Sequence, residues 1–260
     1  MNQGLNAVIT GSTSGIGQGI AEAFAKAGMN IMLNGFGDPN EIETLRARLA
    51  ATHGVRVAYH GADMTKPGEI ADLMATAEAD IGPLDVVVNN AGIQKVAPIE
   101  DFPVEKWDEI LAINLSAAFH TTRLAIAGMK ARGFGRIINT ASVQGLIGSP
   151  FKTAYVAAKH GIIGLTKAVA MEGAEYGVTA NAICPGMVAT PLVEKQIPDL
   201  ARQSGLTEAE TLADMLASNQ PTRRIITVEE IGALATFLCS DAAKSITGAA
   251  LPIDGGWTAR

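Results

Sequence analysis

The first seventeen residues constrain this chain more than any other stretch. Residues 6–10, Asn-Ala-Val-Ile-Thr, form a short apolar run that passes directly into Gly11-Ser-Thr-Ser-Gly15-Ile-Gly17. Apolar residues at helical spacing follow (Ile20, Ala23, Phe24, Ala27). Strand, glycine-rich turn and helix in that order allow backbone amides to approach a pyrophosphate at the helix N-terminus. The spacing is Gly-x-x-x-Gly-x-Gly rather than the commoner Gly-x-Gly-x-x-Gly, so the strand–turn–helix context carries the reading. A plain βα loop is the competing one.

The same alternation continues down the chain. Further strands are predicted at 30–34, 55–59, 84–88, 136–141, 178–184 and 249–253, with helices between them. This pattern predicts one domain over residues 1–260: a Rossmann-type doubly wound parallel sheet, α/β, with helices on both faces. With 260 residues, 48% of them hydrophobic, the chain can bury a substantial core. Residues 187–222 are more polar and punctuated by Pro191, Pro198, Gly205 and Pro221. They are read as a small helical lid inserted in the domain, hinged near Gly186 and Pro221.

A net charge of −6 with scattered basic residues gives no footprint for nucleic acid or an anionic membrane. Apolar stretches are interrupted short of the ~18 residues of a membrane span, and the N-terminus lacks a basic, cleavable leader. Cys184 and Cys239 make no disulfide framework and are expected as buried hydrophobes in a reducing cytoplasm. His53, His60, His120 and His160 lack ligand spacing, so no metal is expected. A long apolar helix at 104–130 is expected to pack against another subunit.

The chemistry concentrates at 142–160. In a helix, the step from Tyr155 to Lys159 puts phenol and ammonium on one face, one turn apart. A nearby ammonium favours the phenolate, so Tyr155 is expected to have a lowered pKa and to exchange protons near neutrality. Ser142, just past a strand, is placed to share a substrate oxygen with Tyr155. At the end of the second strand the chain reads Asn34-Gly-Phe36-Gly37, with no acid before Asp38 and no base before Arg46. Without a cation for a 2′-phosphate, NAD is favoured over NADP. Phe36 packs along an adenosine or caps the sheet, and Asp63 accepts from an adenine amino group or caps the following helix. Asn90-Ala91-Gly92 suits a backbone passing under a nicotinamide ribose. Asn114, an asparagine in mid-helix, holds a water or loosens the helix beside the site.

Taken together, Thr10-Gly11-x-x-x-Gly15-Ile16-Gly17, Asn89-Asn90-Ala91-Gly92, Asn114, Ser142, Tyr155-x-x-x-Lys159 and Pro185-Gly186 resemble the short-chain dehydrogenases/reductases along essentially the whole chain. The resemblance implies a nicotinamide cofactor, usually a tetramer, and a secondary-alcohol oxidoreductase. By it Tyr155 is the acid/base, Lys159 binds the ribose and lowers the Tyr155 pKa, Ser142 polarises the carbonyl oxygen and Asn114 holds a water in the proton relay. Thr13, Ser14, Ile16, Asp63, Met64 and Val188 join the motif residues around the cofactor. Within the family the chain is most similar to bacterial D-3-hydroxybutyrate dehydrogenases, on residues 33–37, 90–94, 99–103, 190–196 and 255–260.

That likeness implies NAD-dependent, reversible oxidation of (R)-3-hydroxybutyrate, or a close short-chain hydroxy acid, to acetoacetate or the corresponding 3-oxo acid. It assigns Gln94, Lys152 and Gln196 to the substrate carboxylate, with Trp257 beside them. Gln144 stands where that group has His, Met187 where it commonly has Trp, and Lys95 where it often has His. An uncharged Gln144 weakens the grip on a small acid, and the slimmer Met187 softens the pocket roof. Two other readings compete. A 3-oxoacyl-thioester reductase of acyl-carrier type needs NADPH and a basic patch. A non-catalytic nucleotide-sensing protein does not need Asn114, Ser142, Tyr155 and Lys159 together.

Overall fold

The computed structural model of the protein describes residues 2–194 and 197–259. The strands are β1 (Asn6–Ile9), β2 (Asn30–Asn34), β3 (Val57–His60), β4 (Val86–Asn89), β5 (Gly135–Thr140), β6 (Val178–Pro185) and β7 (Ala250–Ile253). They form one parallel sheet in the order β3-β2-β1-β4-β5-β6-β7. Every residue of β1, β4, β5 and β6 is buried, which is why these segments read as near-continuous apolar runs. Successive residues are dealt to opposite faces. Ala7, Ile9, Ile31, Leu33, Val86 and Val88 join one core cluster, and Val8, Met32 and Val87 the other.

Helices α1 (Gly15–Lys26), α2 (Pro39–His53) and α3 (Pro67–Ile81) follow β1, β2 and β3 in turn. Asp38 opens α2 by accepting from the Asn40 and Glu41 amides, with Pro39 at the first helical position. The expected 104–130 helix runs from α4 (Val104–Leu111) through a π-helical turn, Ala112–Ser116, into α5 (Ala117–Arg132). This 29-residue run is long and apolar enough, by length and composition, to cross a membrane, contrary to the expectation from the interrupted apolar stretches. Here Ala117, Thr121, Ala125 and Met129 are buried instead, with α3 and the sheet packed against α5.

Helix α6 (Thr153–Gly173) follows β5 and carries Tyr155 and Lys159. After β6 come α7 (Pro191–Glu194), α8 (Ile197–Ser204) and α9 (Glu208–Asn219), then α10 (Val228–Leu238) against α1. Capping boxes at Thr207/Glu210 and Thr227/Glu230 start α9 and α10.

A buried polar chain fixes the helix of Tyr155 to β5, the strand that leads into Ser142. Asn89 Nδ2 donates to Asn139 Oδ1 (2.8 Å), and Asn139 Nδ2 donates to Thr166 Oγ1 on α6 (2.8 Å). Slipping either element would leave buried amides unpaired, at roughly 1–3 kcal/mol each.

Candidate active site

Parallel strands all point their carboxyl ends the same way, and the loops that follow them gather there, beside the β1/β4 reversal of strand order. Those loops enclose a cavity of about 600 Å³. Gly11, Thr13, Ser14, Gly15 and Ile16 line it from the β1 loop, and Asn90, Ala91 and Gly92 from the β4 loop. Ser142 and Gln144 line it after β5, Tyr155 and Lys159 on α6, and Pro185, Gly186, Met187 and Val188 at the end of β6. Phe36, Asp63, Met64, Gln94, Lys152 and Trp257 complete the expected set.

The nucleotide end fits the expected cofactor. A Cβ on Gly17 would lie 2.2 Å from the Gly11 carbonyl oxygen, and one on Gly11 would lie 2.8 Å from Ala91 Cα. The turn is therefore closed against the β4 loop in a way only glycine permits. Ser14 caps α1 without a side-chain hydrogen bond, and the first turn holds no acid, so its amides face the cavity open. Gly17 lies behind this wall rather than on it.

Asn34, fully buried and overlooked in the sequence, holds the turn. It donates to the His60 and Ala62 carbonyls (both 3.0 Å) and accepts from the Gly11 amide (3.3 Å). A strand-end asparagine among apolar neighbours was the available signal. Phe36 is 69% exposed and lines the cavity, so it does not cap the sheet. Asp63 accepts from the Thr65 amide and hydroxyl (2.9 and 2.8 Å), which lower its pKa. It closes the turn before α3; the N-cap itself is Lys66.

At the other end, Ser142 is 9% exposed, its hydroxyl accepts from the Gln144 amide (3.1 Å), and it stands close enough to the Tyr155 phenol to lower its pKa. Lys159 is 3% exposed and donates to the Thr140 carbonyl (2.6 Å). Its nitrogen sits 5.4 Å from the centre of the Tyr155 ring. This geometry corrects one expectation. The ammonium points at a carbonyl and over the ring, not at the phenol oxygen, and burial raises the Tyr155 pKa while the Ser142 hydroxyl opposes it. Burial also pushes Lys159 down from 10.5 to about 8. Cys184 lies alongside, its thiol pushed up to about 11 by burial.

Asn114 is likewise not on the cavity wall. It sits in the π-turn, where its Nδ2 donates to the Ile93 carbonyl and its Oδ1 accepts from the Ile93 amide, both at 2.9 Å. It thereby clamps the loop that presents Gly92 and Gln94.

Lys152 follows Phe151, which adopts φ +64°, and the Phe151 carbonyl accepts from the Ala97 amide (2.9 Å). The loops bearing Gln94 and Lys152 are thus joined. Burial alone lowers the Lys152 pKa, and no carboxylate pairs with it among the described residues. Gln196 lies outside the described residues. Met215 and Asn219 on α9 also line the cavity; nothing in their local sequence distinguished them.

Residues 11–258 match the family described as Enoyl-(Acyl carrier protein) reductase. The chain is 59% identical over 254 residues to D-beta-hydroxybutyrate dehydrogenase of Rhizobium meliloti (strain 1021), covering 98% of each. The chain belongs to the short-chain dehydrogenase/reductase family. Its identity with D-beta-hydroxybutyrate dehydrogenase of Cupriavidus necator is 55% over 261 residues, the full length of both. Among solved members of the family, L-sorbose reductase of Gluconobacter frateurii, complexed with NADPH and L-sorbose, superposes with a TM-score of 0.94 at 31% identity. The match covers 99% of this chain and 98% of that one. The protein is an oxidoreductase of the family's kind, acting on a secondary alcohol with a nicotinamide cofactor.

Proposed function

We propose that this enzyme interconverts (R)-3-hydroxybutyrate and acetoacetate with NAD. One observation carries the reading: a single cavity holds Ser142, Tyr155 and Lys159 together with the uncompensated cation of Lys152. Full-length identity to two D-beta-hydroxybutyrate dehydrogenases supports it. A small hydroxy acid needs one group to take the hydroxyl proton and another to hold the carboxylate a few ångströms away. Tyr155 takes the proton. Ser142, beside that phenol, orients the substrate oxygen, and the substrate carboxylate supplies the counter-charge Lys152 lacks, with Gln94 and Gln144 donating beside it.

NAD serves as hydride acceptor, held by the β1 turn, Asn90–Gly92, Asp63 and Met64, and Pro185–Val188. Lys159 binds its ribose and, charged below about pH 8, supports the phenolate once substrate excludes water from the site. Asn114 acts by positioning the Ile93–Gln94 backbone. The adenosine end favours NAD: among the described residues the only lysines or arginines lining the cavity are Lys152 and Lys159, both at the catalytic end. The same feature disfavours an NADPH-dependent thioester reductase.

We read residues 187–222 as a lid within one domain, and the assembly as a homotetramer, supported by exposed Phe119 and Leu124 on α5 and Met171 on α6. Buried free thiols at Cys184 and Cys239 suit the cytoplasm. The test is acetoacetate reduction with NADH against NADPH. Faster turnover with NADH is expected; a preference for NADPH, or turnover only of acyl thioesters, overturns the reading.

A further inference from the structure

The chain between Gly186 and Ile226 leaves the carboxyl end of β6, builds α7, α8 and α9, and returns beside its starting point. At that neck sits Gln220, with no exposed surface. Its Oε1 accepts from the Met187 amide and its Nε2 donates to the Arg224 carbonyl (2.5 Å). The two partners differ in kind, a donor and an acceptor, so the side chain has one orientation that satisfies both. Its own backbone ends α9 through the Leu216 carbonyl (2.7 Å) and accepts from the Arg223 amide (2.7 Å). Just beyond, Ile226 and Met187 pair through Ile226 N–H to Met187 C=O (2.9 Å), and Ala189 N–H donates to Ile226 C=O (2.9 Å). The expected hinges near Gly186 and Pro221 are thus tied down: Gly186 donates to the Ile253 carbonyl (3.0 Å) and Thr222 to the Gly255 carbonyl (3.1 Å).

Gln220 does not touch the cavity, but its neighbours on both sides do. Met187 and Val188 follow the strand it grips, and Asn219 precedes it on α9. Gly186 has room for Gln220 only because it lacks a side chain: a Cβ there would meet Gln220 Oε1 at 2.5 Å.

We propose that Gln220 is a positioning residue, a clasp that closes the neck of the insertion. It sets the backbone of Gly186–Val188 at the cavity wall. The proposal rests on the assignment of this cavity to nucleotide and substrate. Its effect falls on binding, because Ser142, Tyr155 and Lys159 are held by β5 and α6 and owe nothing to this neck.

The test compares Gln220→Met with Gln220→Glu in the full-length enzyme. Losing both hydrogen bonds in Gln220→Met raises the NADH Kd and the KM for the hydroxy acid at least tenfold and leaves kcat within about threefold. The glutamate variant keeps the acceptor for Met187 and, while protonated, a donor for Arg224. Its NADH affinity therefore matches the wild type at acidic pH and diverges as the carboxyl ionises. Asp254 lies nearest that carboxyl, across Gly186; Arg223 and Arg224 follow in the same turn, the Arg224 guanidinium paired to Glu230 (2.7 Å). Asp254 accepts from the Gly256 and Thr258 amides (2.9 and 2.8 Å) and is ionised throughout this range, so the change with pH belongs to the new carboxyl.

Unchanged Kd and KM in Gln220→Met, a loss confined to kcat, or a glutamate variant whose NADH affinity keeps the same ratio to the wild type at every pH would overturn the clasp. NADH binding by nucleotide fluorescence keeps the two readings apart. A wild-type enzyme that binds NADH but ignores 3-hydroxybutyrate refutes the substrate while leaving the clasp fully testable.

Discussion

Replacing Lys159 by Met should make the stability gap between wild type and variant depend on pH in a specific direction. The ammonium is 3% exposed, has no carboxylate beside it among the described residues, and is held near 8 by burial against an ordinary 10.5. Because the folded value lies below the unfolded one, the unfolded chain carries a proton that the folded protein lacks between about pH 8 and 10.5. Stability contributed at this site therefore rises with pH through that window and is lowest below pH 8. At ~1.4 kcal/mol per pH unit, the drop from 10.5 to about 8 makes the charged lysine a burden of about 3 kcal/mol at neutral pH. Met carries no proton, and its failure to serve the Thr140 carbonyl costs the same at every pH, so that loss cancels when the gap is compared across pH. Urea unfolding of the cofactor-free proteins, followed by the fluorescence of Trp107 and Trp257, should show the wild type gaining on the variant. The gain between pH 7 and pH 10 should be on the order of 2–3 kcal/mol. A flat gap would mean that Lys159 is not desolvated as its burial implies. A gap that falls with pH would mean that an unrecognised anion stabilises the ammonium. A destabilising cation kept in a cavity wall is what a site requires and a core does not.

Three further substitutions probe the chemistry. Tyr155→Phe should lower kcat by about 10³-fold, within the range for losing a positioned acid/base. NADH fluorescence titration should show binding intact; a mildly reduced rate would remove Tyr155 from proton transfer. Lys152→Ala should raise the KM for 3-hydroxybutyrate about 10- to 100-fold, the worth of a charge-assisted hydrogen bond. An uncharged secondary alcohol should be barely affected, and equal effects on both would take Lys152 out of the anion site. Because burial lowers the Lys152 pKa, wild-type KM for the acid should climb with pH earlier than an ordinary lysine at 10.5 would allow. Gln144→His should lower the KM for 3-hydroxybutyrate about fivefold at pH 6, where the imidazole is charged; no gain would show that the pocket is built for a different acid.

Much of the architecture was readable because buried parallel strands leave an unmistakable trace: Val86–Asn89 and Gly135–Thr140 have no exposed face to interrupt them. Boundaries shifted where polar side chains lie at the sheet's rim. The strand expected at 55–59 is Val57–His60, with Arg56 outside it and donating to the Ile81 carbonyl (2.5 Å). The π-turn at Ala112–Ser116 leaves the apolar pattern of its helix unbroken, and only the odd placement of Asn114 hinted at it.

At the candidate site, Ser142, Tyr155 and Lys159 were legible as types, and the structure gathers all three on one cavity wall. Their electrostatics were not. Helical spacing places Lys159 on the face of Tyr155, but the partner that accepts its hydrogen bond, the Thr140 carbonyl, comes from the end of β5. Gln220 was invisible for the same reason. In sequence it is one polar residue in a polar segment, and its meaning lies in Met187, 33 positions away.

The most direct test of the central claim is the initial rate of NAD reduction with (R)-3-hydroxybutyrate, measured beside the (S) enantiomer and 2-butanol. Rapid reduction by the (R) acid alone is the expected result, since Tyr155 and Ser142 fix the oxygen while Lys152 fixes the carboxylate. Equal rates with 2-butanol, or silence with the (R) acid while NADH still binds, would contradict it.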